Sequence, residues 1–291
     1  MEQYLDLVAR ILRDGKIKDN RTGTPAISLY GLVFEHDMSD GFPLLTTKQV
    51  AYKMVRSELE FFIKGITDKR WLQERGNTIW NEWARRDKIP YALDAETKKR
   101  MLEERDLGPI YGWQWNHQGA EYVDCFTDYT GKGVNQLANA IAKIKTDPTS
   151  RRALVTAWIP KDIPKMALDP CHYCFHLNVS ADNRLDLSWN QRSVDTILGL
   201  PFNIASYGTL LHLIAQETGY KPGRLIGFLE DTHIYINHVD AAKEQLERKP
   251  LKLPTIEIIM PKSISDWTYY STKAIDYKNH GPLKNPTPIA I

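Results

Sequence analysis

Hydrophobic positions along the 291-residue chain follow two different spacings, and segments of each kind succeed one another without a fixed order. A spacing of three to four residues predicts amphipathic helices, whereas alternation of hydrophobic and polar residues predicts half-buried strands. By this criterion, helices are predicted at 4–14, 48–64, 134–145, 202–217 and 234–247. Strands are predicted at 27–35, 152–158, 174–180, 184–190, 223–229 and 254–260.

The irregular order of these elements determines the predicted fold class. A doubly wound protein would alternate strands and helices regularly, and this chain does not. We therefore predict an α+β fold, a single mixed domain over residues 1–291, with a large mostly antiparallel or mixed sheet and flanking helices. The helix at 202–217 is hydrophobic almost all round, which predicts a buried central position. Residues 88–105 are rich in charge and are interpreted as a solvated helical insertion without an assigned function.

Composition and charge make several classes of protein improbable. Charged residues form 25% of the chain and the formal net charge is +2, so no nucleic-acid polymer is expected as a partner. The sequence contains no apolar stretch of membrane-spanning length and no secretory signal pattern, so we expect no membrane association and a cytoplasmic location. The odd number of cysteines, three in a long chain, fits a reducing compartment.

The most promising candidate for chemistry is Cys171, which stands in the segment Pro170-Cys171-His172. A cysteine nucleophile has to be ionised, and Arg192 would lower the pKa of the thiol if neighbouring strands place the two side by side. The alternative is that Cys171 is a small buried apolar residue, which is the commoner role for a cysteine. Cys171 and Cys174 have CxxC spacing but no second ligand pair, so we expect no metal site.

Arginines provide a second signal, because guanidinium groups pair bidentately with phosphate oxygens. Arg21, Arg192 and the adjacent pair Arg151-Arg152 stand in separate polar segments. Each of them taken alone is better explained as a surface charge.

Other candidates are single polar groups in apolar surroundings. Glu58 lies on a predicted helix with a strong apolar component, where a carboxylate has either a partner or a function. His233 and Tyr235 would project to the same side if their segment is extended, either as sugar-binding groups or as a structural pair. Trp80 could form a ring-stacking wall, although core packing is the commoner role.

Taken together, these segments resemble the thymidylate synthase family. The most specific stretch is Leu198-Gly199-Leu200-Pro201-Phe202-Asn203-Ile204-Ala205-Ser206-Tyr207. It is joined by Gln191-Arg192-Ser193, Pro170-Cys171-His172, Thr46-Thr47-Lys48, Ile79-Trp80 and residues 106–112. The resemblance runs from Arg21 to Ile291 and implies the thymidylate synthase fold.

The resemblance also implies an activity. It indicates a methyltransferase of nucleotide biosynthesis that moves a one-carbon unit from 5,10-methylenetetrahydrofolate to C5 of dUMP through a covalent Cys171 adduct. The products would be dTMP and dihydrofolate. The family forms obligate homodimers whose sheets pack back to back, so a homodimer is expected as well.

Roles carried over by position form three groups. The catalytic group would be Cys171, Glu58, Tyr111, His172 and Asn203. The dUMP-binding group would be Arg21, Arg151, Arg152, Gln191, Arg192, Ser193, Asp195, Asn203, His233 and Tyr235. In this group, Arg151 and Arg152 would reach across from the partner subunit. The folate-binding group would be Ile79, Trp80, Asp195 and Ile291. Asn203 can accept from N3–H and donate to O4, which suits uracil rather than cytosine.

Some positions depart from the family pattern. Asn190, Asn116 and Glu230 replace residues that are usual in thymidylate synthases, and Asn190 with Trp113 is reminiscent of phage pyrimidine hydroxymethylases. The alternative function is therefore a dUMP hydroxymethylase, in which water captures the methylene group to give 5-hydroxymethyl-dUMP and tetrahydrofolate. Ordinary drift outside the site would explain the same changes. A third alternative is a catalytically silent nucleotide- or RNA-binding protein.

Overall fold

The computed structural model describes residues 1–92, 94–259, 261–285 and 287–288. The helices in these ranges are α1 (Glu2–Asp14), α2 (Tyr52–Ile63), α3 (Arg70–Gln73), α4 (Ala95–Glu103), α5 (Tyr111–His117), α6 (Gln136–Thr146), α7 (Gly199–Thr218) and α8 (Val239–Leu246). The strands are β1 (Lys16–Lys18), β2 (Ala26–Asp37), β3 (Leu154–Thr156), β4 (His172–Val179), β5 (Arg184–Asp195), β6 (Lys221–Tyr235), β7 (Thr255–Ile258) and β8 (Thr272–Ile275).

Six strands form one mixed sheet in the order β1-β2-β6-β5-β4-β3. Neighbouring strands are antiparallel except for β5 and β6, which run parallel. Strands β7 and β8 form a separate antiparallel pair. The predicted α+β class with a mixed sheet and flanking helices is confirmed, whereas the boundaries of one domain at 1–291 stay a prediction. Within the described ranges, no helix combines the length and apolar character needed to cross a bilayer.

Helix α7 connects the two parallel strands and lies in the core, as its all-round hydrophobicity predicts. Leu210, Leu211 and Ile214 on this helix are fully buried. The sheet covers α7 with alternate residues of β5 and β6, because successive side chains of a strand point to opposite faces. The other face of the sheet leaves Val33 and Phe228, which are register partners, about half exposed.

One end of the sheet gathers the chain segments that carry the candidate chemistry. Strands β5 and β6 both finish there because they are parallel, and Ser193 lies opposite Asp231. Strands β2 and β4 begin there because they are antiparallel to these neighbours. The pairing of Ala26 with Tyr235 and of His172 with Gln191 completes the arrangement. Four strands therefore present their termini to the same space.

Several boundary predictions were wrong. The strands predicted at 184–190 and 223–229 are longer, and extend to Asp195 and Tyr235. The helix predicted at 234–247 begins only at Val239, because Ile234 and Tyr235 still pair with β2 and complete β6. The strand predicted at 152–158 is limited to Leu154–Thr156. Elements of three to seven residues (β1, α3, α5 and β8) were missed, since they are too short to show a period. Residues 88–105 do contain a helix, α4, whose Met101 side chain is buried.

Candidate active site

A cavity of about 490 Å³ opens where the four strand termini meet. The sequence-predicted residues that line it are Arg21, Cys171, Arg192, Ser193, His233 and Tyr235. These residues come from the loop before β2, from the segment before β4 and from the ends of β5 and β6. The sheet topology thus brings together groups that are more than 200 residues apart in the sequence.

Cys171 is half-buried at the start of β4. Its backbone N–H donates to the Tyr111 hydroxyl at 2.8 Å, and its carbonyl accepts from the Arg192 N–H at 2.9 Å. Burial raises the pKa of the Cys171 thiol, while the Arg192 and Arg21 guanidinium groups and the Tyr111 hydroxyl act in the opposite direction. The effect predicted for Arg192 is present, but burial outweighs it.

Aromatic rings cover the side of Cys171 that faces the core. The Tyr111 ring lies 4.5 Å from the His172 ring and 4.9 Å from the Phe62 ring, centroid to centroid. The indole N–H of Trp80 donates to Glu58 at 2.8 Å, and the Trp80 ring packs edge-on against Tyr111 at 6.1 Å. Glu58, Tyr111, His172 and Trp80 therefore form one packed group, although none of them lines the cavity.

Burial perturbs the proton affinities of this group strongly. It raises the pKa of Glu58 to about 7, against the weaker opposing effect of the Trp80 hydrogen bond. It lowers the pKa of His172 to about 3, so the imidazole is neutral near pH 7, and His172 Nδ1 lies 2.9 Å from the Tyr207 hydroxyl. It also raises the pKa of Tyr111 well above its ordinary value. Glu58 is consequently the member of the group that can exchange a proton near neutrality.

Tyr111 is fixed by an unusual backbone conformation. Its φ of 23° is positive, which costs energy for a non-glycine residue and often marks a functional position. The next residue is Gly112, where a Cβ atom would lie 2.2 Å from the carbonyl oxygen of Phe62. Only glycine lets α5 approach α2 this closely, and the approach places the Tyr111 hydroxyl at the Cys171 backbone.

The loop that leads to Cys171 is held by two arginines. Arg192 donates from Nε to the Pro170 carbonyl at 3.0 Å and from Nη2 to the Asp169 carbonyl at 2.9 Å. Arg86, which sequence reasoning missed, donates from Nε to the Met166 carbonyl at 2.7 Å and also pairs with Asp169. Both guanidinium groups line the cavity, so they add positive charge to it while fixing the loop.

Asn203, Gln191 and Asp195 lie around the start of α7. Gln191 Nε2 donates to Asn203 Oδ1 at 3.0 Å, which fixes the orientation of the Asn203 amide. Asp195 Oδ1 accepts from the backbone N–H groups of Ile197 and Leu198, both at 3.0 Å. These predicted residues do not line the cavity, but an added Cβ at Gly199 would lie within 4 Å of both Asp195 and Asn203.

The His233 end of the cavity contains a carboxylate that sequence reasoning also missed. Asp231 pairs with Lys18 at 2.6 Å and accepts from the Ser28 hydroxyl at 2.5 Å. His233 Nδ1 lies 3.0 Å from the Asp231 carbonyl. The His233 side chain, together with Lys18 and Ser28, holds the pKa of Asp231 well below its usual range. His233 and Tyr235 both line the cavity, which agrees with an extended segment. The sequence did contain a signal for Asp231, because this carboxylate stands two residues before the predicted His233 and would project to the same side of an extended segment.

The remaining predicted residues are placed elsewhere. Arg151 and Arg152 are exposed in the loop between α6 and β3 and do not line the cavity. Ile79 is partly buried against the core beside Trp80. Ile291 lies outside the described residues. Within the described ranges, no group of three or more His, Cys, Asp and Glu side chains is arranged to hold a metal ion.

The departures from the family pattern also lie outside the cavity lining. Asn116 bonds to the Phe62 and Gly112 carbonyls, and Asn190 donates to the Cys174 sulfur at 3.4 Å. Glu230 accepts from the Tyr173 hydroxyl at 2.9 Å on the exposed face of the sheet, and Trp113 is buried in a separate aromatic cluster. None of these four side chains supplies a polar group at the cavity wall.

Comparison with known proteins decides the family. The sequence pattern of the thymidylate synthase family matches residues 2–289. The chain belongs to the thymidylate synthase family. It is 45% identical to the Homo sapiens protein named thymidylate synthase, over 98% of this chain and 88% of that protein. It is 42% identical to the thymidylate synthase of Mycoplasma mobile, over 98% of both chains.

A third relative, thymidylate synthase 1/2 of Encephalitozoon cuniculi, is 42% identical over 97% of this chain and 95% of its own length. Membership confirms the resemblance found in the sequence and the prediction of a thymidylate synthase enzyme. The names of the relatives favour the synthase over the hydroxymethylase alternative.

Proposed function

We propose that this protein methylates dUMP, taking the one-carbon unit from 5,10-methylenetetrahydrofolate and giving dTMP and dihydrofolate. The observation that carries the proposal is the position of Cys171. Its side chain lines a cavity with three arginines, while its backbone is bonded to a buried group that contains a carboxyl of pKa about 7. Family membership over nearly the whole chain supports the same activity.

In this proposal, the polar end of the cavity binds the nucleotide. Arg21, Arg192 and Ser193 hold the phosphate, because guanidinium and hydroxyl donors match its oxygens. His233 and Tyr235 bind the 3′-hydroxyl of the deoxyribose. Gln191 and Asp195 belong to the binding group because they lie beside the start of α7. The Gln191 hydrogen bond to Asn203 would orient the Asn203 amide toward the uracil edge.

The chemistry begins when the Cys171 sulfur attacks C6 of uracil. The C5–C6 π electrons move toward C5 and O4, so C5 becomes an enolate carbon that attacks the methylene group of the folate. Loss of the C5 proton and of the folate amine leaves an exocyclic methylene. Hydride from the tetrahydrofolate then reduces this methylene, the thiolate leaves, and the folate is released as dihydrofolate. Asn203 donates to O4, where negative charge develops.

Glu58, Tyr111 and His172 would serve the proton transfers of this sequence. Glu58 has the pKa suited to give and take a proton near pH 7. Tyr111 and His172 would orient the participating water, since the Tyr111 ring packs against His172 and against Trp80, which donates to Glu58. For the folate we propose Ile79, Trp80, Asp195 and Ile291 as contacts, the last from outside the described residues.

A homodimer is part of the proposal. The face of the sheet that α7 does not cover exposes Tyr30, Val33, Leu154 and Phe228, between 45% and 73% of each side chain. Packing of this face against a second copy would bury these residues. Arg151 and Arg152, which contact nothing in their own cavity, would then be available to the phosphate in the partner's site. We further propose one domain over 1–291 and a cytoplasmic location.

Product analysis tests the proposed function. Purified protein is incubated with dUMP and 5,10-methylenetetrahydrofolate, and both products are identified by mass. We expect dTMP and dihydrofolate in equal amounts. The combination of 5-hydroxymethyl-dUMP and tetrahydrofolate would establish the hydroxymethylase instead. Tight dUMP binding without turnover would favour a silent nucleotide-binding protein.

A further inference from the structure

Tyr91 belongs to the charged segment 88–105, to which the sequence assigns no function, yet its side chain lines the cavity. Its ring stacks on the ring of Trp83, with centroids 5.7 Å apart and planes inclined by 23°. Trp83 lines the same cavity. The segment therefore contributes an aromatic wall to the site.

This wall is anchored to the rest of the protein by a buried lysine. Lys69 is only 1% exposed, and its ammonium group donates to the Trp83 carbonyl at 2.7 Å and to the Asn81 carbonyl at 3.4 Å. It also donates to the Met101 carbonyl in α4. A single cation thus ties the backbone of Trp83 to the helix of the segment.

Arg21 differs from the other arginines of the cavity. Backbone carbonyls hold the guanidinium groups of Arg86 and Arg192, as described above. The Arg21 guanidinium makes no hydrogen bond or ion pair with the residues that the structure describes. Its carbon Cζ instead lies over the ring of Tyr91, 5.9 Å from the centroid, within the range of a cation–π contact.

The hydroxyl of Tyr91 does not explain why a tyrosine stands there. It is buried and has no hydrogen-bond partner in the part of the chain that the structure describes. The contacts of this side chain are made by its ring, against Trp83 and Arg21.

We propose that Tyr91 is a positioning residue, which holds the Arg21 guanidinium at the cavity so that it meets the phosphate of dUMP. The proposal rests on the proposed function, because it takes dUMP as the ligand. A cation–π contact at an exposed site corresponds to about a two- to fivefold change in affinity. The insertion would thereby strengthen nucleotide binding without touching the reacting atoms.

The test compares two substitutions of one ring. Tyr91→Leu removes the aromatic face, whereas Tyr91→Phe keeps it and removes only the unpartnered hydroxyl. Binding of dUMP and of deoxyuridine, which lacks the phosphate, is measured by calorimetry or by competition. We expect Tyr91→Leu to weaken dUMP binding about three- to fivefold and to leave deoxyuridine unchanged. Tyr91→Phe should bind both ligands within twofold of wild type. The loss of dUMP affinity in Tyr91→Leu should appear as a higher KM for dUMP, with kcat unchanged.

A double variant separates positioning from simple packing. If Tyr91 acts through Arg21, Tyr91→Leu should add nothing to the loss already caused by Arg21→Ala. Should Tyr91→Leu lower the melting temperature, Tyr91→Met supplies the same comparison with a more adaptable side chain.

Three results would overturn the positioning role alone: unchanged dUMP affinity in Tyr91→Leu, equal losses for dUMP and deoxyuridine, or additive losses in the double variant. Wild-type protein that fails to bind dUMP would refute the proposed function, and the positioning role with it.

Discussion

The two ends of the cavity solve different physical problems. On the core side of Cys171, aromatic rings pack closely, and burial shifts the pKa of Cys171 and Glu58 upward and that of His172 downward. At the opposite end, charges are paired and bonded, so that His233, with Lys18 and Ser28, holds the pKa of Asp231 low. Desolvation tunes proton affinity at the first end, whereas pairing keeps charges fixed at the second. Catalysis and nucleotide binding should therefore respond separately to substitution.

The largest effect is expected at the buried end, from Cys171→Ala. Removal of the nucleophile should reduce turnover by on the order of 10⁴-fold or more, since no second thiol lines the cavity among the described residues. Binding of dUMP should persist, because the arginines are unchanged. Steady-state kinetics and calorimetry measure the two quantities. Cys125→Ala is the matched control and should keep full activity; turnover retained by Cys171→Ala would exclude the nucleophile assignment.

Glu58→Gln should lower kcat by about 10²- to 10³-fold, the range for loss of a group that transfers protons. The KM for dUMP should change little, because Glu58 lies in the packed group on the core side of Cys171 and does not line the cavity. Equal changes in kcat and in dUMP affinity would show that the two ends are not separable.

The same variant tests the raised pKa of Glu58. The folded protein binds this proton more tightly than the unfolded chain, whose carboxyl has its ordinary pKa of 4.5. Stability from this group is therefore full below pH 4.5 and falls as the pH rises to about 7. Because glutamine does not ionise, the stability advantage of Glu58→Gln over wild type should grow by on the order of 2 kcal/mol between these limits. Urea denaturation at several pH values measures it, and a pH-independent difference would contradict the raised pKa.

A smaller effect is expected when subunits are mixed. Arg151→Ala and Cys171→Ala subunits, each nearly inactive alone, should recover roughly a quarter of the wild-type sites after random reassociation, since half of the dimers carry one intact site. Mixing of two Cys171→Ala preparations is the control. No recovery in the mixed sample would argue against a phosphate contact across the interface.

The smallest effect is expected from Asn190→Tyr, which restores the usual family residue. Asn190 bonds to Cys174 outside the cavity lining, so the ratio of dTMP to 5-hydroxymethyl-dUMP should not change and kcat should stay within about twofold. A change of product would place Asn190 in the chemistry after all.

Elements with a clear hydrophobic period could be predicted from the sequence, whereas elements that depend on distant partners could not. Helix α7 was predictable because no polar face interrupts it, whereas β6 was cut short because Ile234 and Tyr235 also fit a helix until β2 pairs with them. Arg192 and Cys171 could be named from local motifs.

Residues that act through tertiary contacts had no such signal. Arg86 holds the Cys171 loop by bonding to carbonyls about 80 residues away, and Tyr91 reaches the cavity from a segment that resembles an ordinary charged surface. The low pKa of His172 likewise comes from rings contributed by α2 and α5, which no sequence spacing reveals.

The parallel pairing of β5 with β6 has a consequence for how this protein tolerates insertions and deletions. Ser193 and Asp231 are held opposite each other because β5 and β6 keep one register from the pair Leu187–Leu225, just after a register shift, to the pair Asp195–His233. One residue inserted into either strand would turn every later side chain of that strand to the opposite face, and the cavity groups would exchange places with the half-exposed residues outside. Length changes in this protein should therefore accumulate in segments such as 88–105, away from the strand pair.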